Sequence, residues 1–193
     1  MRPPVEEGSE DSSVCVLMLN PSLDEKRSTS YAVLEVVSER KGWNMIEIAN
    51  LFPVHTRNSK LLAATSLNRS DIFSARPRID AAIARCAEVL FAWGVAPLPG
   101  IAGRLYREQV EWVISRTAHY GHEDAWMMGG EPRHPSRWRQ YVGPQRAIVS
   151  GVSTAERLER ALVRRPIHDA MKGMSVTQTR LRCEDAWEEV PQT

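Results

Sequence analysis

Apolar positions along this chain follow two different periods in turn. "VCVLML" (14–19) is a continuous apolar run rich in Val and Leu, the mark of a strand covered on both faces. "STSYAVLEVVSERKG" (28–42) switches to helical spacing, with Val33, Val36 and Val37 on one face and Gly42 placed to stop it. "NMIEIANLF" (44–52) predicts a second strand, "AEVLFAWG" (87–94) a third and "DAWMMG" (124–129) a short fourth. Between them, "PRIDAAIARC" (77–86) carries proline in its first turn and reads as a helix. "GIAGRLYREQVEWVISRT" (100–117) keeps Ile101, Leu105, Val110, Val113 and Ile114 at helical spacing. "RAIVSG" (146–151) reads as a fifth strand or an edge segment. "STAERLERALVRR" (153–165) opens on a capping box, Ser153 with Glu156, and predicts a last helix.

Strands separated by helices imply a three-layer α/β/α fold around a mainly parallel central sheet of about four strands. In such folds ligands sit beyond the carboxyl ends of the strands. The segments "MLNPS", "IANLFP", "FAWGV" and "MMGGEPRHPS" are all predicted strand ends, so parallel strands would bring them to one rim. Residues 1–13 read as a flexible acidic lead, 14–165 as the α/β domain and 166–193 as a weakly patterned extension.

Composition narrows the partners. The 193 residues carry a formal net charge of +1, so no global field selects nucleic acid or membrane. No apolar run approaches the roughly 18 residues of a membrane span, and "MRPPVEEGSEDSS" has no signal-peptide core, so a cytoplasmic protein is expected. Cys15, Cys86 and Cys183 are widely spaced and form no CxxC pair. His119 and His122 have HxxH spacing but fall in a turn-like stretch. With no Walker-type glycine loop and no GxSxG elbow either, no metal or cofactor is expected.

The rim residues carry the candidate chemistry. Asn20 offers an amide able to hold a water or a substrate oxygen. Asn50 presents donor and acceptor together, which suits the edge of a nucleobase. His134 offers a donor to developing negative charge. Arg133, Arg137, Arg139 and Arg146 lie in a stretch without an acid between Glu131 and Glu156, interleaved with Trp138 and Tyr141. Cations with aromatics match phosphate contact plus base stacking or wedging. Each residue taken alone has a plainer reading: Asn-Pro opens turns, and an Arg-rich loop is usually solvated surface. Their joint placement on one rim favours the functional reading.

"MLNPS", "NLFPVHT", "FAWG" and "PRHPS" resemble, in order and rough spacing over about residues 14–143, the bacterial and phage domain-of-unknown-function family numbered 1643. More distantly, the same segments resemble the uracil-DNA glycosylase superfamily, whose first motif ends in Asp-Pro or Asn-Pro and whose last begins His-Pro-Ser. That second resemblance implies a uracil-DNA-glycosylase-like fold and a nucleobase N-glycosidic hydrolase acting on DNA or a nucleotide-like small molecule. It implies that Asn20 positions water, Asn50 reads the base and His134 stabilises the leaving base. It places Pro21, Ser22, Phe52, Trp93 and Ser136 around the substrate, and Arg133, Arg137, Trp138 and Arg139 against nucleic acid, with Trp138 and its neighbours as wedge candidates. The first motif here lacks the Asp, which leaves Asp24 or Glu25 just downstream as a source of base. Ser22 stands where strict uracil enzymes have a bulky Tyr, so a larger pyrimidine would fit. The last motif continues as Arg137-Trp138 rather than Pro-Leu-Ser. A non-catalytic base binder and an enzyme of free nucleosides or nucleotides are the alternatives on the same scaffold.

Overall fold

The computed structural model describes residues 12–21, 28–55, 68–143 and 151–172. Strand β1 (Ser13–Met18) is buried along its whole length, as its unbroken apolar run requires. It lies between β2 (Met45–Asn50) and β3 (Glu88–Ala92), parallel to both. Strand β4 (Asp124–Met128) adds parallel to β3, and β5 (Leu162–Pro166) closes the sheet antiparallel to β4. The order is therefore β2-β1-β3-β4-β5.

Side chains alternate across a strand, and the sheet accordingly divides two cores. Cys15, Leu17 and Phe91 face one, together with Ile79 and Ile83 of α3 (Arg76–Arg85) and Val110 and Val113 of α4 (Gly100–His119). Val14, Val16 and Met18 face the other, against Val33, Leu34 and Val37 of α1 (Thr29–Lys41) and Leu158 of α6 (Thr154–Ala161). A single-turn helix α2 (Arg69–Phe73) precedes α3, and another, α5 (Trp138–Tyr141), follows β4. The three layers and mainly parallel sheet are as the patterning implies, with five strands in place of about four.

The local signals explain the element ends. The Ser28 side chain accepts from the Ser30 amide at the start of α1, and Gly42 ends it at φ 70°, a left-handed conformation that favours glycine. Ser153 caps α6 by accepting from the Glu156 amide at 3.2 Å, as the capping box predicts. Across the second core, Glu88 accepts from the indole N–H groups of both Trp43 (2.9 Å) and Trp126 (2.5 Å), tying the end of α1 to β3 and β4.

Two expectations change, and a third lies mostly outside the described residues. The helix predicted over 153–165 stops at Ala161, and Leu162–Pro166 is strand β5. Pairing with the edge of β4 satisfies its backbone while Leu162 stays buried and Arg164 and Arg165 reach solvent, and Pro166 ends it. Most of the stretch expected as a fifth strand, 146–150, lies outside the described residues, and β5 occupies the β4 edge. Ile101, expected on the buried face of its helix, is 61% exposed; the buried face of α4 is Ala102, Leu105, Tyr106, Gln109, Val110 and Val113. The core also receives Ile167 and Ala170 from the 3-10 turn Ile167–Met171, beyond residue 165.

Candidate functional site

Because β1 to β4 are parallel, the loops that follow them emerge at one rim. Backbone hydrogen bonds continue past the strands. The amides of Leu51 and Phe52 donate to the carbonyls of Met18 and Leu19, each at 2.9 Å, and the Gly94 amide donates to the Pro132 carbonyl at 2.6 Å. The β1 and β2 loops are thereby joined, and so are the β3 and β4 loops.

Asn50 ends β2, in register with Met18. Its parity places it on the face of the second core. Its Oδ1 is buried and has no hydrogen-bond partner among the described residues. An unsatisfied buried acceptor costs about 1–3 kcal/mol, which a donor brought to this position would offset.

His134 is the best-defined group of the rim. Its Nδ1 accepts from the Ser136 amide at 3.3 Å and lies 2.9 Å from the Ser136 hydroxyl. An Nδ1 that accepts puts the ring proton on Nε2, leaving that N–H to donate. Burial and the nearby positive charge of Arg137 lower the imidazole pKa to about 4, so the ring is neutral at ordinary pH. Its Cβ lies 3.8 Å from where a Cβ of Gly94 would stand, which fixes the β4 loop closely over the end of β3.

Asn20 follows β1, partly buried, and its Nδ2 donates to the Pro21 carbonyl at 3.1 Å. Ser22, Asp24, Glu25 and Arg146 lie outside the described residues. Phe52 and Trp93 are at the rim but are buried, Phe52 stacked on Tyr106 at 6.4 Å and Trp93 tilted against Phe91 at 4.5 Å. They are walls rather than open stacking faces. The Trp93 indole N–H is also buried without an acceptor among the described residues.

The Arg-rich loop divides sharply. Trp138 is fully buried in the second core and donates its indole N–H to the Arg133 carbonyl at 2.6 Å. It is therefore a structural pillar and not a wedge: the large apolar ring is worth more in the core than in solvent, and the 3-10 turn Pro135–Arg137 turns it inward. Arg133 is committed internally, paired with Glu131 and stacked 4.5 Å over the Tyr141 ring. Tyr141 in turn fills the space a Cβ would need at Gly129. Arg137 and Arg139 are exposed and form no ion pair among the described residues.

Two positioning groups had no flag in the sequence. Gln109 of α4, fully buried, donates to the Leu51 carbonyl at 3.2 Å and accepts from Arg76 Nε at 3.0 Å. One turn earlier, the Tyr106 hydroxyl donates to the Gly94 carbonyl at 3.2 Å, and burial pushes its pKa above the usual range. One face of α4 thus holds the ends of both β2 and β3. The only available signal was a glutamine inside an otherwise apolar helical stripe. No described helix is long and apolar enough to cross a membrane.

No curated protein and no solved structure matches the chain. A family model does match, over residues 5–136, a span that includes β1 to β4 and the Asn20, Asn50 and His134 positions. By that match the chain belongs to the family described as protein of unknown function DUF1643.

Proposed function

We propose that the rim binds a nucleobase and that the protein hydrolyses an N-glycosidic bond. The observation that carries this reading is the hydrogen bonding of His134. Its Nδ1 is occupied by Ser136 and its ring is neutral, so Nε2–H is a preorganised donor. When the bond from sugar to base breaks, negative charge collects on a base carbonyl. A fixed neutral donor stabilises that charge without handing over a proton too early. The unpartnered Oδ1 of Asn50 supplies the complementary acceptor for a base N–H. Asn20 would hold the attacking water, an oxocarbenium-like sugar needing little nucleophilic strength. Asp24 remains the candidate for a stronger base.

A second reading is a base binder without catalysis: β1 ends in the amide of Asn20, which is a weaker base toward water than a carboxylate.

The test is an abasic-site assay on oligonucleotides containing uracil, mismatched thymine or oxidised pyrimidines, with free nucleosides alongside. Base release should fall by at least about 100-fold in His134→Ala, the range for loss of one transition-state donor. Release that survives both Asn20→Ala and His134→Ala would overturn the mechanism. Binding without release from any substrate would select the second reading.

A further inference from the structure

The loop between β3 and α4, together with the first two residues of the helix, "VAPLPGI" (95–101), leaves the rim beside His134 and is apolar throughout. Val95 is 51% exposed and Ile101 61% exposed, two of the three large hydrophobic side chains that stand out into solvent among the described residues. Ala96, Pro97 and Pro99 are exposed with them. Leu98 is buried, and its carbonyl packs where a Cβ at Gly103 would have to go, so the loop is fastened to the first turn of α4. A fastened loop presents its apolar side chains at little further entropic cost.

Exposed guanidinium groups stand on the elements that adjoin this tip. Arg104 is exposed one turn along α4 from Ile101, on the same side of the helix. Arg137 and Arg139 stand on the β4 loop, which the Gly94–Pro132 hydrogen bond joins to the start of the apolar loop. Arg137 is close enough to His134 to depress its pKa. None of the three forms an ion pair among the described residues, although other arginines, such as Arg69, Arg85 and Arg116, are paired.

An apolar tip among unpaired guanidiniums fits a partner with anionic groups spaced around flat apolar faces. From this complementarity we infer that Val95–Ile101 packs against the bases of a nucleic-acid strand at an opened step, while Arg104, Arg137 and Arg139 contact its phosphates. The inference rests on the nucleobase reading of the adjoining rim, which selects nucleic acid over an anionic lipid surface. It moves the base-contacting element away from the Trp138 loop, whose aromatic is buried, to a loop with no aromatic and no charge.

The test uses a DNA duplex with 2-aminopurine beside a uracil mismatch and reads both anisotropy and 2-aminopurine fluorescence. The full-length protein should bind and raise the fluorescence as the step opens. Val95→Ser/Ile101→Ser should lose most of that rise. Arg137→Gln/Arg139→Gln should lower the slope of log affinity against log salt by about two, at roughly 0.9 per phosphate contact. Both variants alter exposed side chains, and circular dichroism verifies their folding. An unchanged fluorescence rise in Val95→Ser/Ile101→Ser would overturn the inference. So would absence of duplex binding at low salt, even if free nucleosides were cleaved, an outcome that leaves the nucleobase reading standing. Phosphatidylserine vesicles run in parallel; vesicle binding that depends on Val95 and Ile101, with no such dependence on DNA, would assign the tip to a membrane instead. Loss of opening in that variant without base release from any substrate would support this surface while rejecting hydrolysis.

Discussion

The Gln109 side chain donates to the Leu51 carbonyl at 3.2 Å, linking the middle of α4 to the loop after β2 across 58 positions of sequence. The same amide accepts from Arg76, so one buried side chain holds α3, α4 and the residue next to Asn50 in fixed relation. Buried amides of this kind are expensive to disturb, because removing one partner strands the other.

Gln109→Leu should therefore destabilise the fold by about 1–3 kcal/mol, the cost of leaving a buried polar group unmet. Urea unfolding checks this. Backbone amide exchange should rise in the 50–53 loop before it rises in β1. A substitution without effect on either would show that Leu51 is held by packing alone.

The His134 ring should stay neutral well into acid. Its folded pKa of about 4 lies below the ordinary 6.5, so the unfolded chain binds more protons between those values. Stability is then complete above about pH 6.5, falls as the pH drops through this window, and stops falling from this source below about 4. Nitrogen-15 NMR of the imidazole should show the Nε2–H tautomer at pH 6. A midpoint near 6.5 would contradict the burial and the Arg137 contact that set the shift.

Trp138→Ala should cost about 3–5 kcal/mol, as expected for truncating a large buried aromatic. Arg137→Ala and Arg139→Ala should each stay within about 0.5 kcal/mol of the parent, as exposed side chains do. Thermal or urea denaturation separates the two classes. Similar costs for all three would mean that the loop folds as a unit.

That contrast also shows how far the sequence could be read. The strands at 14–19 and 87–94 were legible because burial on both faces writes an unbroken apolar run. The rim followed from their parallel order, which put Asn20, Asn50 and His134 at one edge. Trp138 was not legible: among arginines it resembles an exposed aromatic, and its partner is the Arg133 carbonyl, which leaves no mark on side-chain patterning. Leu162–Pro166 hid behind a helical period because an edge strand of five residues is too short to declare its own. Ile101 fitted the spacing of α4, yet it is 61% exposed because it stands in the first turn, where the helix has just left the rim and its buried face begins at Ala102. Gln109 needed tertiary knowledge, since only the fold brings Leu51 beneath it.

The family match ends at Ser136, so β5 lies beyond it. Without that strand, β4 would present a full row of unpaired backbone donors and acceptors, a template on which other chains could grow. The strand that covers it turns Arg164, Arg165 and Pro166 to the outside. Charge and proline on the outermost strand are guards against edge-to-edge assembly. The short run "LVRRP" thus bears on colloidal behaviour, by closing a sheet edge on which other chains could otherwise pair.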